Sequence, residues 1–117
     1  MEEHKAIKWV GEPIRRVAGK VYYHACQLSG GQIVSLGTAV RLKAAKGQES
    51  YLAAVLELFQ EEMTGLKMMK NQWYFRPEEA VNGRKKAFHV RELFYSDTTD
   101  INFLTTVEAP ITVSPKP

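Results

Sequence analysis

The 117-residue chain holds a single cysteine, Cys26, so no disulfide can form within it. That fits a reducing compartment. No apolar run approaches the ~18 residues that a membrane span needs. The opening Met1-Glu-Glu-His-Lys5 is acidic and polar, where a secretory signal would be basic and then apolar. Neither sign of charge dominates: 16 Lys+Arg against 13 Asp+Glu leave a net +3, too little to demand a nucleic-acid partner. Internal repeats and low-complexity stretches are absent. His4, His24, His89 and Cys26 are scattered without ligand spacing. A zinc site needs about four convergent ligands, so neither metal nor cofactor is expected.

Catalytic constellations are missing too. Ser29-Gly-Gly-Gln32 lacks the Lys and Ser/Thr of a phosphate-cradling loop and reads as a turn. His24 and Cys26 share a strand face, as a base and nucleophile would, but no third group orients them. Cys26 reads instead as a small buried hydrophobe. No acid–base or nucleophile set emerges, and a non-enzyme is expected.

What is present suits one domain with an ordinary core: 44% hydrophobic and 25% charged residues. Glycine and proline cut the chain into short pieces rich in Val, Ile, Leu, Tyr and Phe, the pattern of a β-rich barrel or sandwich. Strands are expected over Lys20–Leu28, Gln32–Leu42 with a bend or bulge at Gly37, Leu66–Phe75, Phe88–Ser96 and Ile111–Val113. Tyr51–Gln60 suits a helix or a strand. Glu61–Gly65 is a turn, Arg76–Ala87 a polar loop, and Asp100–Thr105 a helical turn with Asp100 as N-cap. The core spans about residues 20–113, with residues 1–19 as an N-terminal extension and 114–117 as a frayed tail.

Charges cluster by sign. Glu57, Glu61, Glu62, Glu78 and Glu79 form one group, and Arg15-Arg16 and Arg84-Lys85-Lys86 form others. They are either solvated loops or a surface with segregated signs. Met63, Met68 and Met69 suit either core or an adaptable surface.

Three aromatics have a geometric relation. Trp73 and Phe75 share one strand face, roughly 7 Å apart. If Tyr51–Gln60 and Leu66–Phe75 form an antiparallel hairpin with Gln60 opposite Leu66, Tyr51 falls opposite Phe75. A one-residue slip would send Tyr51 to the other face. Three such rings either pack as core or stand open to a methylated ammonium through cation–π attraction. Glu78 and Glu79 directly after them, and Asp97 in a second loop, complement a cation.

The ordered set Tyr51-Leu-Ala-Ala-Val-Leu-Glu-Leu-Phe59, Gln72-Trp-Tyr-Phe-Arg-Pro-Glu-Glu79, Arg91-Glu-Leu-Phe-Tyr-Ser-Asp97 and Ile111-Thr-Val113 resembles the bromo-adjacent homology (BAH) domain. Lys8-Trp-Val-Gly-Glu-Pro13 and Tyr22-Tyr23 resemble the start of this domain in the largest subunit of the origin recognition complex and in maintenance DNA cytosine methyltransferases. The resemblance implies a mainly β fold, a distorted β-barrel with short helical turns and no catalysis of its own. It implies a nuclear, monomeric domain whose partner is a histone tail peptide or a nucleosome. It further implies a methyl-lysine cage of Tyr51, Trp73 and Phe75, supported by Glu79 and Asp97, with the peptide along Val90–Thr98. Two positions depart from known readers: Ser96 stands where origin-recognition readers carry a further aromatic, and Thr98 where some plant readers carry a histidine. The alternatives are a structural or docking module of a larger nuclear protein, and a methylation-independent binder of nucleosome or DNA surfaces through Arg84, Lys85 and Lys86.

Overall fold

The computed structural model describes residues 6–43, 50–74 and 98–111. Ten strands run through them: β1 (Lys8–Val10), β2 (Arg15–Val17), β3 (Lys20–Tyr23), β4 (Ala25–Gln27), β5 (Ile33–Ser35), β6 (Ala39–Leu42), β7 (Tyr51–Glu61), β8 (Lys67–Trp73), β9 (Thr99–Phe103) and β10 (Val107–Ile111). A short 3-10 turn, Leu104–Thr106, joins β9 to β10. The fold is mainly β, as the punctuation and composition predict. The expected strand Phe88–Ser96 and the loop and tail flanking it lie outside the described residues.

The long strand β7 organises everything else. One edge bonds along β8. The other edge is shared: β6 takes Tyr51–Ala54 and β3 takes Leu58–Glu61. β10 extends β6, β2 extends β3 and β9 extends β8, while β1, β4 and β5 form a separate sheet. β9 and β10 stand at opposite margins of the larger sheet, yet only three residues link them. The sheet must therefore curl until its margins approach. Among the described residues no ladder joins β9 to β10, so the expected barrel is a curled sheet with an open seam.

The main core lies inside this curl. Val34, Val40, Ala53, Val55, Leu58, Met69 and Leu104 are all essentially inaccessible. Each large apolar side chain so buried contributes about 1.5–3 kcal/mol. Met69 belongs to this core and Met68 is 8% exposed, whereas Met63, in the β7–β8 turn, is 95% exposed. The same residue type thus divides between core and surface by position alone. Residues ahead of Lys20 join the fold as well. Ile7 is buried in the core. Trp9 stacks on Tyr23 with centroids 4.3 Å apart and donates its indole N–H to Gln60 Oε1 at 2.7 Å.

Three elements differ from the sequence expectation. Lys20–Leu28 is two strands, because β3 and β4 belong to different sheets and the chain must break between them, at His24. Gln32–Leu42 likewise divides into β5 and β6. Gly37 marks the break with φ +85°, and its N–H donates to Val55 O at 2.8 Å. Asp100 caps no helix: it sits in β9, and the 3-10 turn starts only after Phe103. Cross-strand pairing of Thr99–Phe103 with Met68–Gln72 outweighs the local capping preference.

The charge clusters that are separate in sequence meet in space. Arg15 pairs with Glu57 at 3.5 Å and Arg16 with Glu62 at 3.2 Å. The Arg15 guanidinium also lies 3.9 Å from the Tyr22 ring centroid. These exposed pairs contribute little stability, but they cancel the sign segregation that the sequence suggests on this part of the surface.

The β2–β3 hairpin closes through Ala18-Gly19, both with positive φ (53° and 79°). This is the arrangement of a two-residue primed turn, which favours Asn-Gly. Ala18 is strained there, since a Cβ disfavours the left-handed region by roughly 1–2 kcal/mol. Ala18→Asn is therefore expected to raise stability by about 0.5–1 kcal/mol, measurable as a higher denaturation midpoint. A lower midpoint would contradict this reading of the turn.

Candidate functional site

The site grows from the β7–β8 hairpin. Near its turn, Gln60 opposes Lys67 and Glu57 opposes Lys70. That is one residue out of step with the pairing expected from Gln60 opposite Leu66. Leu56 is then inserted as a bulge. Beyond it, Val55 opposes Asn71 and Ala53 opposes Trp73, which restores the expected register. The bulge also switches faces: Ala53 and Val55 share the core with Leu58, while Leu52 and Ala54 pack with Tyr74 on the opposite side. Without the extra residue, Trp73 would oppose Ala54, and Tyr51 would point away from it. A bulge here is reasonable, because β7 changes partner from β6 to β3 at this point.

The consequence is contact between two predicted site residues. Tyr51 and Trp73 meet edge-to-face, with centroids 5.9 Å apart and planes at 83°. Trp73 is 4% exposed and belongs to the main core, whereas Tyr51 is half-buried and packs against that core. The start of β7 is pinned beside Tyr51. Ser50 Oγ donates to Glu108 Oε1 at 2.8 Å, and Arg41 Nε donates to the same oxygen at 2.8 Å. These two bonds hold the Glu108 carboxyl below its usual range, the Ser50 bond contributing most.

A polar row lines the neighbouring strand. The Trp73 indole N–H donates to Asp100 Oδ2 at 2.7 Å, and the Trp73 backbone N–H donates to Thr98 O at 3.1 Å. Asn102 Nδ2 donates to Asn71 Oδ1 at 2.7 Å. Asn71 is fully buried and, among the described residues, its own Nδ2 has no partner. Sequence reasoning misses Asp100 in this role. A buried indole demands an acceptor, which is a legible signal, but the register of β9 on β8 decides which residue supplies it.

Phe75, Glu79, Asp97, Arg84, Lys85 and Lys86 lie outside the described residues. Among the described residues, no three His, Cys, Asp or Glu side chains gather as a metal site would require. A groove of 610 Å³ opens between the two sheets, bordered by Ile7, Leu28, Arg41 and Lys43. Of the predicted ring residues, the two described ones, Tyr51 and Trp73, do not line it.

Cys26 is fully buried opposite Trp9, and burial pushes its thiol up to about 12. The thiolate, the reactive form, is therefore scarce at neutral pH. Native protein is expected to resist iodoacetamide at pH 8 and to alkylate fully once denatured. Rapid labelling of the folded chain would overturn the buried placement.

Comparison with known proteins agrees with this architecture. A family model described as the BAH domain matches residues 32–116. The DNA (cytosine-5)-methyltransferase CMT2 of Oryza sativa subsp. japonica is 35% identical over 79 residues, 67% of this chain but 6% of that protein. Two chromatin remodeling proteins of Arabidopsis thaliana also match. SHL is 32% identical over 62% of this chain, and EBS 31% identical over 66%. The chain spans 32% of SHL and 33% of EBS, so each relative extends well beyond the matched region. With the family model matched over residues 32–116, most of its length, the chain belongs to the BAH domain family.

Proposed function

We propose that this domain is a non-enzymatic, nuclear reader that binds a methylated lysine of a histone tail. Membership in a family of binding modules, and relatives named as chromatin remodeling proteins, support a role on chromatin. The match to CMT2 covers 6% of that enzyme and gives no ground for transferring its activity. The observation that carries the reading is the Tyr51–Trp73 pair, two rings at right angles at the open end of a hairpin. Perpendicular rings form two walls of a cage, and ring faces attract a desolvated methylammonium. Phe75 completes the cage in this reading, Glu79 or Asp97 adds negative charge, and the peptide follows Val90–Thr98. Affinity for such a tail is modest, because ordering a flexible peptide costs free energy.

The test is an array of histone tail peptides carrying unmodified and methylated lysines. Methylation-dependent capture is the expected result, and indifference to methylation would overturn the reading. A second reading rests on the 4% exposure of Trp73. In it the rings are structural and the domain docks within a larger nuclear protein. It predicts that no methylated peptide on the array is captured.

A further inference from the structure

The two tryptophans of this domain differ in what their indole N–H groups touch. Trp9 donates to the neutral amide of Gln60, and Trp73 donates to the carboxylate of Asp100, both at 2.7 Å. Asp100 is an exposed residue of β9, one strand away from Trp73 and diagonal to it, since Asp100 opposes Asn71. Charge-assisted bonds of this kind are roughly twice as strong as neutral ones.

We propose that Asp100 is a positioning residue of the cage: it locks the Trp73 indole and makes the site select a cationic lysine head over a neutral group of equal shape. The inference rests on the methyl-lysine reading above. Two physical effects lead to it. A carboxylate accepting the indole N–H pushes electron density into the ring, and a ring face with more negative charge holds a cation more strongly. The carboxylate also lies within a ring's width of any cation seated on that face. Asp100 is exposed, so its attraction there is screened nearly as in bulk water and is worth about a fivefold change in affinity. A tail lysine with a neutral head gains neither effect. Asp100 is separate from Glu79 and Asp97, the acidic positions that the sequence suggests.

The experiment uses this chain and a histone tail peptide selected by the array. Its methyl-lysine is presented as trimethyl-lysine or as the neutral isostere with a tert-butyl head. Wild type and Asp100→Asn are titrated with both. The asparagine keeps an acceptor for the indole while removing the charge, and Asp100→Thr serves as a second neutral variant suited to a strand. Folding is checked by the Trp9 indole N–H resonance, which should stay in place while that of Trp73 moves. The expected result is about a fivefold loss for the charged peptide and less than twofold change for the isostere. Equal weakening of both peptides would make Asp100 merely structural, and unchanged affinity for both would remove it from the site; either overturns the proposal. If wild type captures no methylated peptide at all, the methyl-lysine reading fails and this inference fails with it. The wild-type titration thus tells the two failures apart.

Discussion

Replacing Trp73 by alanine is expected to cost the fold about 3–5 kcal/mol, a drop in thermal midpoint on the order of 10–20 °C. The ring is 4% exposed and, at the end of β8, packs in the main core. Its removal leaves a cavity that a sheet pinned on both sides cannot close. It also ends the edge-to-face contact with Tyr51 and leaves Asp100 without its donor. On the sequence alone, this substitution is a clean test of binding. In the structure it is a stability mutant first, so lost binding would not separate a missing cage wall from a missing fold. Trp73→Phe keeps an aromatic wall and much of the volume, and it is expected to lower the midpoint by less than half as much. A midpoint within a few degrees of wild type for Trp73→Ala would show that the indole is not core.

Tyr51→Ala is the sharper probe of function. Tyr51 is half-buried at the first position of β7, so its removal leaves most of the core in place. The expected result is a folded domain whose affinity for a methylated tail peptide falls on the order of 30-fold, the worth of a desolvated cation–π contact. Tyr51→Phe should stay within about twofold, because the ring face, not the hydroxyl, holds the ammonium. Titration calorimetry with the captured peptide reads both variants, and circular dichroism confirms the fold. Full affinity in Tyr51→Ala would sink the cage reading and favour the docking alternative.

The two rings are anchored differently. Trp73 is held from inside by core packing and from the side by Asp100. Tyr51 is held from its own strand start, where Ser50 ties to Glu108 and Glu108 to Arg41. The contacts that hold both rings come from elements distant in sequence. In the proposed reading such anchoring favours binding, because ordering the walls on binding would subtract from affinity.

Much of this is legible in the sequence. Short apolar segments between glycines and prolines gave the β class. The turn at Glu61–Gly65 and the runs on either side of it gave the β7–β8 hairpin. The ordered motifs gave the family. Even the meeting of Tyr51 with the face of Trp73 followed from hairpin arithmetic, although the assumed turn pairing was one residue out and the Leu56 bulge put it right. Sequence patterns register such things because face alternation and turn chemistry are local.

What the tertiary structure alone decided is non-local. The single run Lys20–Leu28 became two strands because two sheets compete for it, and β7 acquired its bulge where β6 gives way to β3. Arg15 and Arg16 found Glu57 and Glu62 across strands, so charge groups that look opposed in sequence neutralise each other in space. Asp100 looked like a helix cap because its neighbours in the chain allow one. It became the acceptor for Trp73 because β9 pairs with β8, and a buried indole N–H takes whichever carboxylate the register brings within reach.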